Sequence, residues 1–133
     1  MSQRYHDLLL RVYLEDVDNY GIVYHPKYLQ YFERARIEYL RQYGCDLPTL
    51  KQQGYSLVIQ SAEIHYVKPA FNDNELLIQS YIDRLGHASM RFCQSIMLAN
   101  DPDYQICKAQ IKIACVDQEF KPCPLPSLLQ EIA

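Results

Sequence analysis

The sequence predicts an α+β domain in which one long helix lies on a mainly antiparallel five-stranded sheet. Three observations predict it. A single strongly amphipathic stretch occupies residues 26 to 43, the hydrophobic period changes from 3.6 to 2 after residue 55, and short turn signals separate the later segments. A helix with one apolar stripe needs a sheet to cover it. At 133 residues the chain is expected to be one domain, spanning residues 1–133, with a core of real size.

Leu8 to Leu14 reads as an opening strand. The helix runs from about Pro26 to Tyr43, where Tyr28, Leu29, Phe32, Ala35, Tyr39, Leu40 and Tyr43 recur at three- and four-residue spacing. Pro26 suits the first helical position, where a missing N–H costs nothing, and Gly44 suits the left-handed residue after the last turn. Leu47 to Gln53 forms a second short helical turn, entered from Asp46 and closed by Gly54. Strands follow from Tyr55 to about Lys68, Glu75 to Arg84, Ala88 to Ala99 and Tyr104 to Val116, with turns at Asn72-Asp73-Asn74, Gly86 and Asn100-Asp-Pro-Asp. Short connections favour neighbouring hairpins. In the last strand Cys107, Ala109, Ile111, Ile113 and Cys115 alternate with Lys108, Gln110 and Lys112, as in a sheet with one wet face. The tail Lys121-Pro-Cys-Pro-Leu-Pro reads as a surface segment leading to a short terminal turn.

Composition narrows the function. A formal charge of −3 gives no basic footprint for nucleic acid. The only apolar run near the start, Leu8-Leu9-Leu10, is flanked by Arg4, Asp7 and Arg11, so neither a signal segment nor membrane insertion is expected and the protein should be cytoplasmic. Five cysteines without a C-x-x-C pair and four scattered histidines imply reduced thiols and no metal. No serine-hydrolase elbow, dinucleotide loop, Walker loop or H-E-x-x-H is present.

The densest polar segment, Leu14-Glu-Asp-Val-Asp-Asn-Tyr-Gly-Ile-Val-Tyr-His25, sits directly ahead of the long helix. The first N–H groups of a helix lack internal partners and carry the positive end of its dipole, so an oxygen developing negative charge is stabilised there. Because Pro26 has no N–H, the donors are the His25 amide and those just after Pro26. Gly21, with no Cβ, lets a ligand carbonyl come close to the backbone. An upstream carboxylate, ionised at neutral pH, can then deprotonate water or attack the carbonyl carbon. The same residues also make an ordinary capping turn, and on residue chemistry alone that structural reading is the simpler one. A metal on Asp16, Asp18 and His25 would lack a second imidazole.

The string from Tyr13 to Arg36, with its D-x-x-G-x-V-Y-H-x-x-Y core, resembles the signature of 4-hydroxybenzoyl-CoA thioesterase-like hot-dog proteins, and most closely the Tol-Pal-associated acyl-CoA thioesterase group. Tyr66-Val-Lys-Pro-Ala70, followed by Asp73 and Leu76, is similar to that family's second strand and turn, so the likeness covers nearly the whole chain. The resemblance implies a hot-dog fold and hydrolysis of an acyl-CoA thioester to acid and CoA. It assigns Asp18 as general base or nucleophile and the His25 amide as the group polarising the thioester carbonyl. The His25 side chain would hold substrate, assist water or simply cap. The resemblance also implies substrate contact by Gly21, Val23, Tyr24 and Lys68, and CoA-phosphate contact near Gly86-His-Ala-Ser89, through His87 and Ser89, with Arg84 and Arg91 nearby. It implies no cofactor and a homodimer or homotetramer with CoA at a subunit interface, and acyl carrier protein stands as another thioester carrier. Two departures are Val17, where relatives often have Thr, and Lys27, where they often have Asn. Asp16 and Glu15 read as solvated or hydrogen-bonded loop acids, and Glu33, Arg34 and Arg36 as ion pairs or interface contacts. A non-catalytic acyl-CoA or acyl-carrier-protein binding module is the alternative from another class; a hydratase on CoA thioesters and a protein acting only through an interface are the others.

Overall fold

The computed structural model describes residues 4–132. Its elements are β1 (His6–Arg11), a 3₁₀ turn (Leu14–Asp16), α1 (Pro26–Gln42), α2 (Leu47–Gln52), β2 (Ser56–Tyr66), β3 (Glu75–Leu85), β4 (Ser89–Leu98), β5 (Asp101–Val116) and α3 (Ser127–Gln130). The five strands form one antiparallel sheet in the order β1-β3-β4-β5-β2.

α1 lies along the inner face of this sheet because its apolar stripe is continuous. Tyr28, Tyr31, Phe32, Ala35, Tyr39 and Leu40 are all buried, and the Tyr39 ring meets Phe92 of β4 edge-on at 5.2 Å. Each large side chain of that set contributes about 1.5–3 kcal/mol by leaving water. Beneath the helix, Ile78, Ile96 and Cys107 stand in register across β3, β4 and β5, all fully buried. Pro26 opens the helix and Gly44, at φ +84°, closes it, as the sequence predicts.

Four expectations are corrected. β1 ends at Arg11, because the chain turns into the 3₁₀ turn at Leu14. β2 does not form a hairpin with β3; residues 67–74 carry the chain across the sheet, so that β2 pairs with β5 and becomes an edge. β5 begins at Asp101 rather than Tyr104, since Ala99-Asn100 suffices for the turn and register shifts beside Met97 accommodate Pro102 near the strand's start. The C-terminal tail is a surface segment only in part: Lys121, Pro122 and Pro124 are exposed, but Leu125 is buried with Leu129 and Ile132 in the core cluster, and Pro122 bridges back to Val116.

Candidate active site

Asp18 stands at the tip of a tight hairpin that the chain folds just ahead of α1. Val17 bridges Val23, the Asp18 amide donates to the Ile22 carbonyl at 2.9 Å, and the Tyr24 amide donates to the Asp16 carbonyl at 2.8 Å. The reversal needs a residue in the left-handed region, and Gly21 supplies it at φ +81°. Its amide closes the turn on the Asp18 carbonyl. One carboxylate oxygen of Asp18, Oδ1, accepts the Tyr20 amide at 2.8 Å; Oδ2 has no hydrogen-bond partner among the described residues. The turn thus fixes the orientation of the carboxylate and leaves one oxygen open.

His25 enters α1 with helical dihedrals, φ −53° and ψ −35°, and its side chain caps nothing. Its ring packs instead edge-on to Tyr24, at 5.1 Å, and Tyr66, at 6.1 Å. Of the donors the sequence leaves open at the helix start, the Lys27 amide is spent on the Tyr24 carbonyl and the Tyr28 amide on that of His25. The His25 N–H has no acceptor among the described residues. It is therefore the donor that the helix terminus offers to a ligand.

A groove of about 300 Å³ opens beside it, lined by Ile22, Val23, His25, Tyr28, Tyr66, Val67, Lys68 and Pro69. It gathers three of the predicted residues, Val23, His25 and Lys68. Asp18, Gly21 and Tyr24 belong to the adjoining hairpin and do not line it within one copy of the chain. Two tyrosines read only as core or strand also shape it. Tyr28 is buried with its hydroxyl accepting the Ala70 amide, and burial pushes that hydroxyl up to about 12, so it stays a neutral phenol. Tyr66 tilts against the Tyr28 ring at 5.8 Å. The periodicity that marked Tyr28 as core could not show that its outer edge faces a groove.

A second hollow, about 420 Å³, lies at the β3–β4 turn and is lined by Arg84, Leu85, Gly86, Ser89, Met90, Arg91 and Lys112. Arg84, Arg91 and Lys112 are cross-strand partners in one row over β3, β4 and β5. Arg91 is committed to Asp83, which it grips with two nitrogens, the Nε contact measuring 2.8 Å; this guanidinium holds the Asp83 carboxyl below its usual range. Arg84 and Lys112 have no acidic partner among the described residues. His87 does not line the hollow; its carbonyl accepts the Leu125 amide at 2.8 Å.

Asp16 has a use that no local sequence signal betrays. It is buried, its Oδ2 accepts the Tyr31 hydroxyl at 2.7 Å, and Lys27 Nζ lies 3.5 Å from Oδ1. The departure at Lys27 therefore ties α1 to the hairpin. Arg36, expected in an ion pair or an interface contact, is buried and donates to Gln94 Oε1 at 3.1 Å, and the Glu33 carboxylate one turn away acts on it only through space, without a salt bridge.

A family model described as the thioesterase-like superfamily matches residues 12–132. The chain belongs to that superfamily. It is a thioester hydrolase with the hot-dog fold. Acyl-CoA thioesterase YbgC of Haemophilus influenzae is 37% identical over 119 residues, 88% of this chain and 85% of that protein. Among solved structures, a probable thioesterase from Bartonella henselae superposes with a TM-score of 0.85 at 37% identity, over 92% of this chain and 100% of that one. A 1,4-dihydroxy-2-naphthoyl-CoA thioesterase from Synechocystis shares the fold, with a TM-score of 0.91 at 24% identity, over 97% and 95% of the two chains. No helix among the described residues is long and apolar enough to cross a membrane.

Proposed function

We propose that this thioester hydrolase cleaves acyl-CoA thioesters in the cytoplasm, with Asp18 as the reacting carboxylate and the His25 amide as the donor to the thioester oxygen. The observation that carries the reading is the unspent His25 N–H at the start of α1, beside an apolar groove and one hairpin away from a carboxylate with a free oxygen. A thioester carbonyl directed at that N–H is polarised by the donor and the helix dipole together. Asp18 then takes a proton from water as the water oxygen bonds to the carbonyl carbon. The C–S bond breaks, and the CoA sulfur leaves as a thiolate that recovers the proton. Direct attack by Asp18, giving an anhydride that water opens, balances equally well, and ¹⁸O water in a single turnover separates the two by whether label enters Asp18.

Val23, Tyr28, Tyr66 and the Lys68 stem supply the apolar wall for the acyl group, with Gly21 and Tyr24 on the hairpin beside it. At the other hollow, Arg84 and Lys112 offer unpaired positive charge to the phosphates of CoA, and Ser89 a hydroxyl, while Arg91 is already neutralised by Asp83. Apolar side chains exposed around the groove support completion of the site by a second copy: Tyr66 and Val67 are each 51% exposed.

Asp18→Asn is expected to keep the fold and lower turnover about 10²- to 10⁴-fold, read as free thiol released from a panel of acyl-CoAs. Equal rates for the variant and the parent on the best substrate would remove Asp18 from the mechanism.

A further inference from the structure

Beyond β5 the chain makes a tight return whose purpose is not explained by the hydrolytic site. Asp117 Oδ1 accepts the amides of Glu119 and Lys121, Phe120 adopts φ +61°, and the chain doubles back so that Val116 bridges Pro122. This brings the Cys123 amide to the Cys115 carbonyl at 3.0 Å and the two Sγ atoms to 3.4 Å. Cys115 is fully buried and Cys123 half-buried. No other pair of described cysteines has its sulfurs in contact. Hydrogen-bonded neighbours on antiparallel strands have Cα atoms about 5.5 Å apart, inside the span of about 4.4–6.8 Å that a disulfide bridges.

Past Cys123 the chain is anchored on the β3–β4 turn. The Leu125 amide donates to the His87 carbonyl, and Leu125, Leu129 and Ile132 are buried, while in β5 the Cys115 amide holds the same turn through the Ala88 carbonyl. The tail therefore lies across the turn whose other side, at Gly86 and Ser89, lines the basic hollow.

We propose that Cys115 and Cys123 are a redox modification site: peroxide converts the pair to a reversible disulfide, which straps the C-terminal segment over the β3–β4 turn. The more accessible thiol, Cys123, reacts first. Its sulfur takes one oxygen from hydrogen peroxide, giving a sulfenic acid and water. The Cys115 sulfur then bonds to the Cys123 sulfur and displaces the hydroxyl, which leaves as a second water with the Cys115 proton. In sum, two thiols and one peroxide give one disulfide and two waters, the sulfurs losing two electrons and the peroxide gaining them. A thiol reductant reverses the bond by exchange. Burial of Cys115, whose thiol is pushed up to about 12, keeps it from reacting with oxidants on its own, and the 3.4 Å contact makes it the thiol that meets an oxidised Cys123. Transient regulatory disulfides are the form in which such bonds occur in a reducing compartment.

The bond itself does not depend on the proposed substrate; its effect on the hollow does rest on the acyl-CoA reading. The test treats the full chain with hydrogen peroxide, blocks remaining thiols under denaturing conditions and maps the peptides by mass. A Cys115–Cys123 linked peptide, two hydrogens lighter, reversed by dithiothreitol and absent in Cys123→Ser, is expected. A link through Cys45, Cys93 or Cys107, or a sulfinic acid on Cys123 with no link, overturns the assignment. The linked protein should melt about 4 °C or more above the reduced one; an unchanged Tm overturns the strap. With the turn held in place, KM for an acyl-CoA should fall at least about twofold, and Cys123→Ser should not respond to peroxide; an unmoved KM in the linked protein overturns its bearing on the site. Should no acyl-CoA be turned over, the substrate reading fails while the mapping and melting results still decide the disulfide.

Discussion

Burial alone would raise the Asp16 carboxyl, yet hydrogen bonds from the Tyr31 hydroxyl, the Tyr13 amide and the Lys27 ammonium together hold it below its ordinary range. Burial, and after it the same contact, raises the Tyr31 phenol. Tyr31→Phe removes the shortest of these bonds from a buried carboxylate and is expected to cost about 1–3 kcal/mol, measured by urea unfolding at pH 7. The lowered value sets the sign of the pH dependence. Stability from Asp16 is present above its unfolded value, 3.8, and is lost as pH falls through the lower folded value. The gap in stability between the parent and Asp16→Asn should therefore be full at neutral pH and shrink below about pH 4. Of the two acids, sequence chemistry could not say which was buried, because the partner that decides it, Tyr31, lies fifteen positions on. Asp18 remains the acid with an open oxygen because its own turn, not the helix, holds it.

At the scale of elements, the ends of α1 were legible because Pro26 and Gly44 act locally, and the alternation of β5 was legible because each residue reports its own face. The position of β2 was not, since its pairing with β5 joins residues some fifty apart and no local signal distinguishes it from a hairpin with β3. Nor was the join between α1 and β4. There Gln94 is buried, its amide nitrogen donating to the Phe32 carbonyl at 2.9 Å and to Ser80 Oγ at 3.0 Å, while its oxygen accepts Arg36. Burial lowers the Arg36 guanidinium from its ordinary range. Gln94→Leu strands that cation and is expected to destabilise the protein by about 2–4 kcal/mol in chemical denaturation. Adding Arg36→Met should restore much of the loss, because removing both polar partners costs less than orphaning one. Failure of the double variant to recover would mean that the guanidinium is held by more than Gln94.

For the whole molecule, the sheet leaves two edges, β1 and β2, and the groove opens beside the end of β2. Around that groove the surface is unusually apolar for a face left in water: Tyr20 is 88% exposed, and Tyr24, Tyr66, Val67 and Phe71 each show about half their area. Ile59, on the same edge strand, is also exposed. A second copy placed on this side would cover the apolar rim and the unpaired edge together, which is how an isologous dimer uses one patch twice. This is also why the candidate site was only partly legible: the local pattern marked the polar loop and the helix start, the resemblance singled out Asp18 and Val23, and on the proposed reading the groove is closed by a surface of a second copy. The protein is expected to sediment as at least twice its 15.7 kDa chain mass. A stable interface of this kind buries at least about 1,200 Å² in total, and a charge at its centre should break it. Tyr66→Asp should shift the protein toward monomer in analytical ultracentrifugation and lose acyl-CoA hydrolysis in parallel, with far-UV dichroism unchanged. Full activity in a monomeric Tyr66→Asp would show instead that one copy encloses its own substrate.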